Sequence, residues 1–188
     1  NVSTPSVIHA LASFSKIHFD TVVEVVKPVK SYRGMKTEYE DPERLGVDRW
    51  LASLAAWLRC LSNVCVVDVG TALTIDVVTA GGVHLGGLIA PGPTLMQQSL
   101  ASGAAELVRE DLSEVEFFGT NTKDAMSLGC LSAFGGIFNT VENRLDSLGL
   151  RDVVWYLTGG GAEAIASQIP VVFTSAPDLV LDGLVELN

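Results

Sequence analysis

Apolar residues fall into two rhythms along this chain. From Val7 to Phe14, and again from about Val47 to Leu61, they recur at helical spacing; in the second segment Trp50, Leu54, Trp57, Leu58 and Leu61 share one face. From Val64 the rhythm changes to short β-branched runs, Val64 to Val69, Leu73 to Val78 and Val83 to Ala90, parted by the turn signals GTA and AGG. This predicts a meander of three antiparallel strands. A β-rich run from Thr21 to Val26 predicts one more strand, followed by a polar loop from Lys27 to Pro42. After Pro91 the pattern predicts a helix through Leu95 to Leu107, an acidic loop over Arg109 to Gly119 and a long helix from about Thr122 to Leu148. A strand at Val153 to Thr158, a triple-glycine turn, a helix near Ala162 to Gln168, a short strand at Val171 to Thr174 and a helix from Pro177 complete it. Strands followed by alternating helices and strands indicate an α/β protein.

With 188 residues, nearly half of them hydrophobic, the chain is long enough to bury a substantial core. The most apolar stretch, Val83 to Met96, is broken by Gly86, Gly87, Pro91, Gly92 and Pro93, so no membrane span is expected. The opening NVSTPSVIHAL lacks the charged lead and apolar run of a signal peptide. Cys60, Cys65 and Cys130 suit neither a disulfide framework nor a zinc site, which fits a reducing cytoplasm. A formal net charge of −10 argues against nucleic acid as a partner. An anionic ligand would depend on short-range devices: helix N-termini, glycine-rich turns, a bound cation or a few placed basic groups.

Several segments carry candidate chemistry. In DVGTALTID, Asp68 to Asp76, a strand ends in an acid, turns at Gly70 with the hydroxyl of Thr71, and returns. Gly70 lets backbone N–H groups approach a phosphate and Asp68 can hold a cation, although an ordinary hairpin reads the same way. In YEDPERLGVDRW, Asp48 and Arg49 follow Gly46 at a loop-to-helix junction. A carboxylate there can take a proton from a hydroxyl and the guanidinium can hold an anionic group; alternatively Asp48 is a helix cap or first-turn acid and Arg49 is solvated. HLGGLIAPGPTLMQQSL, from His84 to Leu100, puts Gly86 and Gly87 inside a strand, as close approach by a ligand or by neighbouring backbone would require. His84 is given no role. Asn121 and Thr122 stand at a helix start, where capping alone explains Asn121. The turn at Gly159, Gly160 and Gly161 joins a strand to a helix without the spacing of a dinucleotide fingerprint or the lysine of a P-loop.

In this order, GVDR, DVGTALTID, HLGGLIAPGPTLM, NT and LTGGGAE resemble the type III pantothenate kinases, the Bvg accessory factor family, from about Tyr39 to the end. The resemblance implies the ribonuclease H-like fold of acetate and sugar kinases, chaperone ATPases and actin. Residues 1–45 would be the remainder of one such half and 46–188 the other. It implies ATP-dependent phosphorylation of pantothenate, the first step of coenzyme A synthesis. Asp48 would be the general base, with Tyr39, Gly46, Val47, Arg49 and Thr122 at the pantothenate site. Asp68 would hold the activating potassium or ammonium, Gly70 and Thr71 would contact ATP with its magnesium, and Gly159 and Gly160 would lie near the adenosine. It further implies a homodimer with substrate sites at the interface, for which the apolar face of the Val47 helix and the Thr122 helix are candidates.

Family members open on a strand and a DxGNT-like turn, and no second turn of that form stands upstream of Tyr39. The opening resembles a region several tens of residues further on. The expectation is therefore a chain without its N-terminal phosphate motif, its pantothenate half recognisable and its ATP binding and activity impaired. Two other readings stay open. One is another small-molecule kinase, favoured if Asp48 and Arg49 do not face the Asp68 turn. The other is a catalytically silent regulatory protein.

Overall fold

The computed structural model describes residues 5–103, 112 and 117–187. The strands are β1 (Ser31–Tyr32), β2 (Met35–Thr37), β3 (Val64–Val69), β4 (Ala72–Val78), β5 (Val83–Pro91), β6 (Val154–Thr158) and β7 (Phe173–Ser175). They form one seven-stranded sheet in the order β1-β2-β5-β4-β3-β6-β7. The expected meander is there: β4 pairs antiparallel with both β3 and β5. β6 then lies parallel to β3, and β7 parallel to β6. A three-stranded meander extended from its first strand by parallel crossovers is the ribonuclease H-like topology.

The described α-helices are α1 (Pro5–Phe19), α2 (Val47–Cys60), α3 (Pro93–Gly103), α4 (Thr122–Ser147), α5 (Ala162–Ile165) and α6 (Leu179–Val185); α2 and α6 pack on one face of the sheet, α3, α4 and α5 on the other, and α1 is largely exposed. Alternation along β3 sends Val64 and Val66 to the α2 side, with Trp50, Leu54, Tyr156 and Leu179. Cys65, Val67 and Val69 go to the α4 side, with Phe134, Phe138 and Trp155. The even positions Asp68 and Asp76 thereby fall on the α2 side, because successive strand side chains point to opposite faces.

α2 is buried on every side from Arg49 to Trp57. It can be so because Ala52, Ser53, Ala55 and Ala56 leave room for neighbours. α6 comes close enough that a Cβ on Gly183 would overlap the Leu51 carbonyl oxygen. The α2 face expected as a dimer surface is therefore core.

Some expectations change. Thr21 to Val26 forms no strand; Val22 is 87% exposed, and β-branched residues make a strand only where a neighbour completes the ladder. That place at the sheet edge is taken from within the expected polar loop, by the β1–β2 hairpin, whose Lys36 and Thr37 run parallel to Val83 and His84. The helix expected to Gln168 is α only to Ile165 and then a 3₁₀ turn, and the short strand begins at Phe173 rather than Val171. The end of the Leu95 helix and most of the acidic loop lie outside the described residues.

Candidate functional site

Two glycine turns meet where the parallel strands β3 and β6 end. Between the paired Val69 and Leu73, Gly70 and Thr71 form the exposed tip of the hairpin, closed by Gly70 N–H donating to the Ala72 carbonyl at 2.9 Å. Gly92, at the mouth of α3, braces this tip by donating to the Thr71 carbonyl at 2.9 Å. On the other side Gly161 N–H donates to the Val69 carbonyl at 2.8 Å. Gly159 adopts φ 91° and sits so close that a Cβ would overlap Asp68 Oδ1 and reach within 2.6 Å of Val69 N. A Cβ on Gly160 would meet nothing within 4 Å, and one on Gly70 only the Ala72 carbonyl at 3.8 Å. The turns thus pack on each other yet leave open space above Gly70 and Gly160, at the carboxyl ends of parallel strands where α/β sheets take their ligands.

Asp68 closes β3 at this point, half-buried beside Gly159. Burial raises its pKa, and the negative charges of Asp48 and then Asp76 raise it further. A carboxylate pressed in this way by two others fits a cation. Among the described residues no three His, Cys, Asp or Glu side chains gather closely enough to hold a metal by themselves.

Asp48 stands exposed in the first turn of α2, where its carboxylate accepts from the Arg49 backbone N–H at 2.8 Å. The N-cap position is Gly46, whose missing side chain leaves room for that carboxylate: a Cβ there would lie 2.6 Å from Asp48 Oδ1. Gly46, Val47 and Asp48 line a groove of about 620 Å³ with Val26, Lys27 and Val180 among its other walls. That is ample for a small molecule.

Arg49 departs from the solvated alternative altogether. Its guanidinium donates through Nε and Nη2 to the two oxygens of Asp76, at 2.8 and 2.6 Å, and through Nη1 to the Tyr39 hydroxyl at 3.0 Å. Both partners of the ion pair are nearly sealed, with 6% and 2% of their side chains exposed. Burial pulls the guanidinium pKa down, but the hydrogen bonds and charge of Asp76, helped by Tyr39, outweigh it and hold it above the ordinary value. The Tyr39 hydroxyl and the Arg49 guanidinium, ten residues apart in sequence, are thus joined by a hydrogen bond. Thr122 is not with them: it lies exposed at the start of α4, lining a separate groove with Met96, Leu100 and Met126. Asn121 caps that helix, accepting from Asp124 N–H at 3.0 Å.

Sequence reasoning missed Asp76, Thr37 and His84. His84 is fully buried, bridging Asp76 Oδ1 at 2.9 Å and the Thr37 hydroxyl at 3.0 Å. A polar residue inside an apolar strand run was the available signal.

A model of the type III pantothenate kinase family matches residues 2–144. A type III pantothenate kinase of Xylella fastidiosa is 39% identical over 190 residues, which are 98% of this chain and 74% of that protein. The chain belongs to the type III pantothenate kinase family. A second relative so named, from Nitrosomonas eutropha, is 39% identical over 155 residues, 80% of this chain. The chain spans 60% of that relative's length. Among solved structures, a Baf family protein from Campylobacter jejuni superposes with a TM-score of 0.59 at 25% identity, over 81% of this chain and 66% of that one. The family's model covers Tyr39, the Asp48 junction, the Asp68 turn and Thr122, so the residues on which the resemblance rests up to the start of α4 fall inside it.

Proposed function

We propose that this chain serves the ATP-dependent phosphorylation of pantothenate to 4′-phosphopantothenate, the first step of coenzyme A biosynthesis, with Asp48 as general base. One observation carries the reading: the Arg49–Asp76 ion pair ties the start of α2, where Asp48 stands, to the face of the sheet on which Asp68 closes β3. A base and a phosphate turn held on one face can serve one in-line transfer, which weighs against the reading in which they face apart. It is supported by the family to which the chain belongs.

In this mechanism pantothenate occupies the groove beside Gly46 and Val47 and presents its hydroxyl to Asp48. That carboxylate accepts the proton as the oxygen attacks the γ-phosphorus, and the bond from γ-phosphorus to the bridging oxygen of ADP breaks. The exposed tip at Gly70, with the Thr71 hydroxyl, meets the phosphates, and the open space above Gly160, beside Gly159, takes the adenosine. Asp68 would hold the monovalent cation, potassium or ammonium, which together with the magnesium carried by ATP neutralises charge on the phosphates. Phosphoryl transfer asks of the protein mainly positioning and charge compensation, and this arrangement offers both. Tyr39 and Arg49 orient the acceptor.

Thr122, remote from Asp48 within one copy, reaches a pantothenate site by way of a homodimer, with the groove between α3 and α4 as the contact. We place the enzyme in the cytoplasm, in keeping with its three free cysteines and with no described helix long and apolar enough to cross a membrane.

The test is ATP-dependent phosphorylation of pantothenate, with and without potassium, by this chain and by a version extended at its N-terminus with a strand and DxGNT-like turn, the version in which activity is expected. Turnover that needs the cation and falls on the order of 10²- to 10⁴-fold in Asp48→Asn is the expected result. A folded, extended chain that binds pantothenate but turns over no ATP would remove the catalytic part of this reading and favour a silent protein of the same fold.

A further inference from the structure

Five side chains from four separate segments form one buried chain of hydrogen bonds, and only Tyr39 and Arg49 among them have a part in the function above. We propose that Asp76, His84 and Thr37 are positioning residues, a relay that locks the Arg49 guanidinium and the Tyr39 segment into one fixed geometry. Its functional value rests on the pantothenate reading; the relay itself does not.

The directions of the hydrogen bonds close in only one simple way. The Thr37 hydroxyl oxygen accepts from the Tyr39 backbone N–H at 3.2 Å, so its own proton is free to go to His84 Nδ1, 3.0 Å away. His84 Nε2 then carries its ring proton and donates to Asp76 Oδ1 at 2.9 Å. Asp76 accepts from Arg49 Nε and Nη2, and Arg49 Nη1 donates to the Tyr39 hydroxyl. The path leaves the backbone of Tyr39 and returns to its side chain. With a neutral imidazole, the one negative and one positive charge of this interior cancel, as burial demands.

The backbone is shaped around the relay. A Cβ on Gly87 would overlap the Ile75 carbonyl and come within 2.7 Å of Asp76 Oδ1 and 2.9 Å of Arg49 Nη2. Gly86, at φ 98°, lies against the Tyr39 ring, which its missing Cβ would approach to 3.7 Å. The glycines of HLGG are thus the seats of Arg49 and Tyr39, and its histidine is the link between them. A buried ion pair adds little stability over an apolar pair of similar volume, so a stability role alone does not account for so complete a network.

The relay also sets what Arg49 can offer. Three of its five N–H bonds are committed to Asp76 and Tyr39, leaving one on Nη1 and one on Nη2 without a partner among the described residues. Its charge is already matched by Asp76, so it presents direction rather than net positive charge.

The test combines two readouts, guanidinium rotation of Arg49 by ¹⁵N NMR and pantothenate affinity by calorimetry. His84→Gln can keep a donor where Nε2 stood, whereas His84→Asn reaches only the Thr37 side. Resolved, slowly rotating Arg49 Nη signals are expected in the wild type and in His84→Gln, and averaged signals in His84→Asn. Pantothenate affinity should fall about tenfold in His84→Asn, as loss of a hydrogen bond to a charged group implies. In an Arg49→Met background the same change should cost nothing further, since a residue acting through Arg49 is not additive with it. If His84→Asn does not fold, Thr37→Val carries the same readouts. Resolved signals in the folded His84→Asn chain, or losses that add to those of Arg49→Met, would overturn the relay. Locked and His84-dependent signals in a chain that binds no pantothenate would uphold the relay and overturn the pantothenate reading instead.

Discussion

Asp68 is a residue whose environment disfavours its own charge. Its pKa is raised in the fold above the ordinary 3.8, by burial first and then by Asp48 and Asp76. Stability from this group is fully present below the unfolded value and is lost as pH rises through the folded one, because the unfolded chain gives up the proton first. Asp68→Asn should therefore raise the melting temperature at pH 7 and gain little below pH 3.8. Added potassium should stabilise the wild type and not the variant, which calorimetric melts in potassium and in a larger inert cation would check. Ser53 offers a second test. Its hydroxyl oxygen is buried without a hydrogen-bond partner among the described residues, so Ser53→Ala should stabilise the chain by about 1 kcal/mol in urea unfolding.

At the scale of elements, glycines decide how closely segments approach. Gly183 lets α6 lie on the backbone of α2 at Leu51, and Gly87 lets the Arg49 fork cross β5. Gly183→Ala should cost several kcal/mol, roughly 2–4, by prising α6 from α2. Gly87→Ala should do comparable harm and also free Arg49, so its NMR signals would average, whereas those of Gly183→Ala would not. α2 holds its own start and stop without a side-chain cap: Leu61 turns left-handed at φ 49° and returns its N–H to the Trp57 carbonyl. Tertiary burial, not capping, is what secures this helix and the Asp48 junction at its start.

For the whole molecule, the proposed homodimer makes a plain prediction. With α2 buried in the core, contact falls to the α3–α4 groove around Met96, Leu100, Thr122 and Met126. Sedimentation equilibrium should give a dimer, and Met126→Lys should shift it to monomer with the fold intact by circular dichroism. A wild type that stays monomeric at tens of micromolar, roughly the range in which standard interfaces associate, would remove the dimer and leave Thr122 without a substrate role.

Local pattern was enough for much of this protein. Helical spacing placed α2 and α4 to within a residue or two, and β-branched runs with their turn signals gave the β3–β4–β5 meander, whereas Gly70, Thr71 and Asp48 read equally as an ordinary hairpin and a helix cap until the family resemblance joined them. These elements depend on nearest neighbours in sequence, where periodicity and turn chemistry act. What the chain does with Arg49 depended on Asp76, 27 residues away on β4, and on His84 and Thr37, which meet only because β2 runs beside β5. The same non-local pairing left Thr21 to Val26 without a ladder and gave the sheet edge to a hairpin inside a polar loop. Sequence determined the helices and strands whose pattern is local; tertiary structure decided the sheet edge and which charges are buried together, because burial and strand pairing are properties of distant segments brought into contact.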